Sequence, residues 1–296
     1  MILPTAHTTS WSYEEAFARN TGLITPDEQQ RLRRSRIAIV GMGGVGGVHA
    51  VTLARLGVGG FTLADPDIFE IVNTNRQYGA RQSTVGQSKV EVMANILRDI
   101  NPEIDVRVFR DPISAENADE FLKDADLFVD GIDFFEIEVR RLLFRLAAER
   151  GRYAITAGPI AFGTAWLVFA PGGMSFDRYF DFSDRMPLVD KLVAFAVGLF
   201  PKAVQRGYMS IKSVNFAART GPSSSLACQL ASGVLAAEAI KILLGRGSIW
   251  AAPYYQQFDA YLGRYVRGRL LGGNRNPVQR LKRWIVVRQY RTTMRG

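Results

Sequence analysis

One cysteine, Cys228, and two histidines, His7 and His49, are the whole supply of thiol and imidazole in this chain of 296 residues. That scarcity excludes an internal disulfide and a cysteine-built zinc cage, so no zinc is expected. It also excludes most histidine-dependent triads unless His49 is recruited. Chemistry must fall to Asp, Glu, Lys, Arg and backbone groups. Long apolar runs are scarce too. The longest candidate, Leu192 to Phe200, is too short to cross a bilayer as a helix, so no transmembrane segment is expected. The opening MILPTAHTTSW has no basic region followed by an apolar core, which argues against a secretory signal and makes a cytoplasmic location the expectation. Acids are absent from Arg264 to Gly296, where nine Arg and one Lys stand. The formal charge of +9 is therefore a property of that tail, since the rest has 27 basic against 28 acidic residues.

Glycine is concentrated in one stretch, Arg36 to Gly47, RIAIVGMGGVGG. The apolar run after Arg36 has the pattern of a strand buried on both faces of a parallel sheet. In the turn that follows, Gly41, Gly43 and Gly46 reproduce G-x-G-x-x-G, and Gly44 and Gly47 add two more positions without a Cβ. Such a turn lets backbone approach a phosphate while the next helix, predicted from about 44 to 56, aims its N-terminal amides at the anion. A nucleotide is the natural occupant.

A second strand, GFTLAD, ends in Asp65, at the spacing where an acid accepts hydrogen bonds from ribose hydroxyls. To this point a nicotinamide dehydrogenase fits equally well. The next segment separates the two readings. Asn73, Asn75, Arg76 and Gln77 form a polar cluster, and Lys89 opens a helix that Asn101 and Pro102 terminate. Two cations brought to a glycine turn suit a triphosphate, whose charge needs clamping during transfer; hydride transfer has no such need. The strand in ADLFVDGID then exits on Asp130 and Asp133. One of them could hold Mg²⁺ against phosphate oxygens, or Asp133 could cap a helix predicted from 134 to 150. Arg19, between predicted helices at 12–20 and 25–34, is on local sequence a solvated surface arginine.

The alternation of strands and helices predicts an α/β, Rossmann-like fold: a mainly parallel sheet with helices on both faces, C-terminal antiparallel strands and a crossover segment. The expected organisation is a helical segment over 1–35, an ATP-binding region over 36–170, a substrate-covering crossover over 171–222, a helix and antiparallel strands over 223–270 that complete the same domain, and the basic tail over 271–296. A Gly-Pro turn is predicted at Gly158-Pro159. Cys228, inside the long helix near 223–245, is expected to be a buried structural thiol. In the tail, Val278, Leu281 and Ile285 recur at helical intervals with Trp284 beside them. That pattern fits a packed helix with a solvated basic face, or one that meets an anionic membrane or nucleic acid.

With these residues in place, the sequence resembles the ThiF/HesA/MoeB superfamily, the adenylyltransferases related to ubiquitin-activating enzymes. The ordered set GMGGVGG, LADPD, NTNRQ, TVGQSKVEV, INP, VDGID, TAGP, LAAEAIKILLG and QFDAY carries the likeness, from about Tyr13 to Leu270. The resemblance implies that Gly41, Gly43, Gly44, Gly46 and Asp65 hold ATP, with Asp65 on the ribose. It implies that Asn73, Arg76 and Lys89 engage the phosphates, that Asp133 binds Mg²⁺, and that Arg19 enters a neighbouring subunit's site in a homodimer. The implied reaction is attack of a carboxylate on the α-phosphorus of ATP, giving an acyl adenylate and pyrophosphate. The implied partner is a ubiquitin-like protein or peptide with a free C-terminal carboxylate. The paired CxxC motifs and crossover cysteine of many relatives are missing, so adenylation without covalent carriage is expected. Two alternatives stand beside it. One is activation of a modified tRNA base, as in the threonylcarbamoyl-adenosine dehydratases, which VGQSKVEVMA and INPE also resemble. The other is a nucleotide-binding scaffold without turnover.

Overall fold

Ile37 and Ile39 pack to one side of strand β1 (Arg36–Val40), and Ala38 and Val40 to the other, so β1 is buried on both faces as its composition requires. The structure, a computed structural model, describes residues 10–209 and 219–293. His7 lies outside that range, as do residues 210–218 of the predicted crossover. Around β1 an eight-stranded sheet is laid in the order β3-β2-β1-β4-β5-β6-β7-β8. Strands β2 (Gly60–Ala64), β3 (Asp105–Phe109), β4 (Leu127–Asp130) and β5 (Tyr153–Ile160) continue the parallel part. Strands β6 (Gly163–Phe169), β7 (Tyr254–Asp259) and β8 (Arg264–Arg269) extend it antiparallel. The predicted fold class is therefore the observed one.

Two apolar layers clothe the sheet. On one face, β1 and β2 meet α3 (Gly46–Arg55), α4 (Lys89–Ile100) and α9 (Ser225–Leu244); on the other, α5 (Ala118–Phe121), α6 (Ile137–Glu149), α7 (Phe176–Phe180) and α8 (Leu188–Leu199) pack. Phe176, Tyr179, Phe180, Leu192 and Phe195 of the crossover are thus core residues of the second layer. Ahead of β1, α1 (Tyr13–Ala16) and α2 (Pro26–Arg34) lead in. Thr25 and Glu28 form a capping box at the start of α2: Glu28 N–H donates to Thr25 Oγ1 at 3.2 Å and Thr25 N–H to Glu28 Oε2 at 2.9 Å.

Four predictions need correction. The helix expected over 12–20 is broken at Phe17 into α1 and a 3₁₀ turn, Ala18–Asn20. Gly158-Pro159 is no turn, because both residues pair with β6 and the chain reverses at Ala161 and Phe162 instead. The helix expected from residue 134 begins at Ile137, with Glu136 at its N-cap position. The statement that no apolar stretch approaches membrane length overlooked α9, a 20-residue helix with a mean hydropathy of 1.5. Its Ala231, Leu235, Ala236 and Ala239 are buried against the sheet, Ser232 Oγ bonds Thr52 Oγ1 of α3 at 2.9 Å, and Arg31 donates to the Leu243 and Leu244 carbonyls at its end. Those contacts hold one side of α9 against the sheet and α3.

His49 in α3 is fully buried, and neither ring nitrogen has a partner. Burial alone pushes its pKa from 6.5 down to about 3. The unfolded chain takes up this proton below about pH 6.5 and the folded chain does not until far lower, so stability falls as pH drops through that window. The slope from this one group is at most about 1.4 kcal/mol per pH unit. Urea unfolding at pH 7 and pH 5 should show a smaller loss of stability for His49→Met than for the unsubstituted protein.

Candidate active site

At β1 the sheet's connections change direction: α3 leads from β1 to β2 on one side, while β4, on the other, is followed by α6 and β5. Ligands of open α/β sheets bind at this reversal, beyond the carboxyl ends of the strands. The two strand exits meet there through backbone. A Cβ on Gly131, just past β4, would lie 2.6 Å from Gly41 O and 2.8 Å from Gly46 Cα. Gly41 has φ +86°, in the left-handed region open to glycine. Gly131 is the residue that motif reading missed; the signal was present as the glycine of VDGID, a strand exit opposite a glycine turn.

Gly43 and Gly44 are the open part of the turn. Only the carboxamide of Gln77 approaches the Cβ position at Gly43, at 3.6 Å, and Arg76 Cγ and Cδ lie 3.8 and 3.9 Å from that at Gly44. Arg76 is half held by its own loop, donating from Nη1 to Val72 O at 3.0 Å and Asn75 Oδ1 at 2.9 Å. Gln77 is buried with Oε1 unpartnered. An acceptor left this way costs roughly 1–3 kcal/mol, which a ligand donor at the turn would recover. Asn73, buried, accepts from Glu70 N–H at 2.9 Å and closes the 3₁₀ turn that presents this cluster.

Asp65 sits one residue beyond β2, buried, and accepts from Met42 N–H at 2.6 Å and Asp67 N–H at 2.8 Å. Burial raises its pKa, while those two bonds and the charge of Lys89 pull it back. One carboxylate therefore ties the glycine turn to the end of β2, and each oxygen retains lone pairs for a further donor. Lys89 opens α4 as predicted. Its buried ammonium is 2.9 Å from the exposed carboxylate of Asp67.

The two acids at the exit of β4 have different fates. Asp130 is consumed by a buried pair with Arg140, Nε to Oδ2 at 2.8 Å, and by Ile132 N–H at 3.1 Å. Arg140 also donates to Ile132 O and Asp133 O, so this arginine, unflagged by any motif, moulds the loop. Asp133 is exposed and accepts from Phe135 N–H at 2.9 Å. That turn is local, and Asp133 does not cap α6. Among the described residues no group of three His, Cys, Asp or Glu side chains is assembled for a metal.

Two more residues complete the account. Cys228, in the first turns of α9, is buried with its Sγ 3.2 Å from the Cβ position at Gly44, and burial pushes its pKa up. A buried thiol held in its protonated form is a poor nucleophile. Arg19 is exposed in the 3₁₀ turn whose Asn20 bonds Leu56 O, at the far end of α3. Ten helical residues separate that end from the glycine turn, about 15 Å, so Arg19 does not join the site of its own chain.

The sequence profile of the ThiF family matches residues 17–280. The chain is 42% identical over 123 residues to the tRNA threonylcarbamoyladenosine dehydratase of Haemophilus influenzae, a stretch covering 41% of this chain and 47% of that protein. The chain thus spans about half the length of the dehydratases it matches. It is 29% identical over 271 residues to the sulfur carrier protein adenylyltransferase of Thermus thermophilus, 90% of each. Among solved structures, PaaA superposes with a TM-score of 0.67 at 20% identity, over 90% of this chain and 85% of that one. E. coli MccB with ATP gives 0.64 at 18%, over 90% and 73%. At such identities these two establish the fold alone.

Gly131→Ala forces a Cβ into backbone and should destabilise the protein by about 2–4 kcal/mol, measured by thermal or urea unfolding. Gly43→Ala meets only a side chain and should change stability by less than about 0.5 kcal/mol, while weakening ATP measurably in calorimetry because it fills the open turn.

Proposed function

The chain belongs to the ThiF family, and on that premise we propose that it is an ATP-dependent adenylyltransferase acting on the C-terminal carboxylate of a small carrier protein or peptide. The observation that carries this reading is the delivery of Arg76 and Lys89 to the same glycine crevice as Asp65. ATP lies with its ribose on Asp65 and its phosphates along Gly43 and Gly44. The substrate carboxylate attacks the α-phosphorus, the bond to the β-phosphate oxygen breaks, and pyrophosphate leaves. No proton moves, since the attacking group is ionised at neutral pH. That no histidine among the described residues reaches the crevice is then no handicap. Arg76 and Lys89 offset charge that grows on the phosphate oxygens, and Lys89 exchanges Asp67 for phosphate as its partner.

Mg²⁺ suits this arrangement in one limited sense. Asp133 is exposed just past β4 and, unlike Asp130, has no ion pair with Arg140, and a cation that takes most of its ligands from phosphates and water needs little more from protein. Bound there, it would supply charge neutralisation on the phosphates.

Two features favour a carrier or peptide as acceptor. The sequence alignment with the sulfur carrier adenylyltransferase runs through 90% of both chains, whereas that with the dehydratase, higher in identity, covers 41% of this one. Cys228, the sole thiol, is buried, which favours a product released as the adenylate or passed on elsewhere. The second reading, ATP-dependent modification of threonylcarbamoyl-adenosine in tRNA, draws on the 42% identity of the shared stretch and on the basic residues after Arg264. A homodimer is part of the proposal, because only a second copy brings Arg19 near a crevice. A cytoplasmic location is likewise proposed.

Carboxylate-dependent ATP–pyrophosphate exchange is the test. Carrier proteins or peptides ending in a free carboxylate should support it and their C-terminal amides should not; exchange driven only by threonylcarbamoylated tRNA would install the second reading. Lys89→Ala should lower exchange roughly a hundredfold, and Asp65→Asn should weaken ATP by about tenfold or more. Folding of both is checked by melting temperature. Exchange indifferent to Lys89 would overturn the clamp.

A further inference from the structure

Helix α10 (Pro277–Thr293) is attached to the molecule by its polar side. Asn274, in the turn before it, is buried and donates to Phe180 O at 3.1 Å and Ala194 O at 2.7 Å. Gln279, also buried, donates to Val197 O at 3.1 Å; Lys282 donates to Pro201 O at 2.6 Å; Arg283 and Arg275 hold the two oxygens of Asp181 at 2.9 and 3.0 Å. These bonds fix the helix's rotation. Its apolar residues consequently face outward: Val278 is 59% exposed, Leu281 57%, Trp284 57% and Ile285 40%. A surface helix of a globular protein ordinarily has the reverse arrangement. The four side chains follow one another along about 10 Å of helix. Arg288 lies over the Trp284 ring at 5.3 Å, and Arg280 is exposed at the edge of the stripe.

We propose that this outward face of α10 docks the protein on the surface of an anionic lipid bilayer. Charge selects the occupant. Helix α10 carries Arg280, Lys282, Arg283, Arg288 and Arg291 and no acid, so two copies laid against each other would bring like charges together. Nucleic acid would satisfy the arginines and leave Val278, Leu281 and Ile285 with nothing to bury against. An anionic bilayer answers both needs: headgroup phosphates for the exposed Arg280 at the edge of the stripe, and the acyl boundary for the stripe itself, with Trp284 at the depth where indole is most at home. The exposure agrees: Val278, Leu281 and Trp284 are each more than half exposed and can sink into a deformable plane. The remainder of the chain, net −1, adds little repulsion from such a surface.

The experiment is flotation of the full chain with vesicles of phosphatidylcholine alone or mixed with phosphatidylglycerol. Binding is expected to the mixed vesicles, weakened by salt, and reduced by about tenfold or more in the double variant Leu281→Asp, Ile285→Asp. ATP binding, measured beside it, reports that the nucleotide crevice is intact. If the double variant fails to fold, quenching of fluorescence by brominated acyl chains replaces it, with a signal expected from the unsubstituted protein and lost in Trp284→Phe. Four outcomes overturn the proposal: no affinity for anionic vesicles; undiminished affinity in the double variant; a lipid-free self-association that the double variant abolishes; or tRNA retention that depends on the apolar stripe.

Discussion

The carbonyl of Gly41 occupies the space that a Cβ on Gly131 would need, and the rest of the crevice depends on that contact of backbone against backbone. Because β1 and β4 are neighbours whose chains depart in opposite directions, their exits would diverge unless something held them together. Side chains at 41, 46 or 131 would wedge them apart by the width of a methyl group, and the backbone has no softer way to yield. With them closed, the N-terminus of α3, the loop after β2 and the loop after β4 face one another. Asp65 reinforces the closure by taking the Met42 N–H, so the acid expected to meet the ribose also shapes the turn expected to meet the phosphates.

Charge around the crevice is divided between groups that build it and groups left for a ligand. Asp130 and Arg140 are both buried and neutralise each other; their bonds are spent on the loop that carries Asp133. Such a pair contributes little net stability once its desolvation is counted, but removing either partner would strand the other. Lys89 is the contrasting case. Its ammonium is buried while its partner Asp67 is solvated, so the pair can exchange at modest cost for a phosphate. Gln77, whose amide nitrogen approaches Gly43 and whose oxygen is unpartnered, belongs to the second group. A crevice furnished in this way suits chemistry that needs positioning and charge compensation, without a base or a nucleophile of its own.

The two ends of the chain stand apart from that crevice. The segment from α1 to α2 is tied to the far end of α3, through Tyr13 on Gly57 O and Gln29 on Leu56 O, and carries Arg19 away from the site. At the other end α10 presents apolar residues to solvent because its polar side chains are engaged by the crossover carbonyls and Asp181. The crossover is therefore both half of one core layer and the mount for an unusually oriented helix. The sequence alignment with the Haemophilus influenzae dehydratase spans 123 residues, and α10 is placed by contacts within this chain.

What sequence alone determined was everything that follows from local pattern. The apolar runs of RIAIV, GFTLA and LFVD indicated β1, β2 and β4, periodicity indicated α2 and α4, and the glycine turn with Asp65 and Lys89 raised the expectation of a nucleotide crevice, because each signal is written in neighbouring residues and in spacings along one strand-helix-strand unit. That Asp65, Arg76 and Lys89 gather near the glycine turn was expected for that reason. Tertiary structure alone decided which acid at the end of β4 is free, since Asp130 and Asp133 look alike until Arg140, a turn into the next helix, chooses one. It also decided that Gly131 is as indispensable as Gly41, that Gly158-Pro159 lies within a strand, and that Cys228 is sealed against Gly44. For α10 the helical period was plain, but a period states only that apolar residues share a face; which way that face turns depends on hydrogen-bond partners some eighty residues away in the crossover.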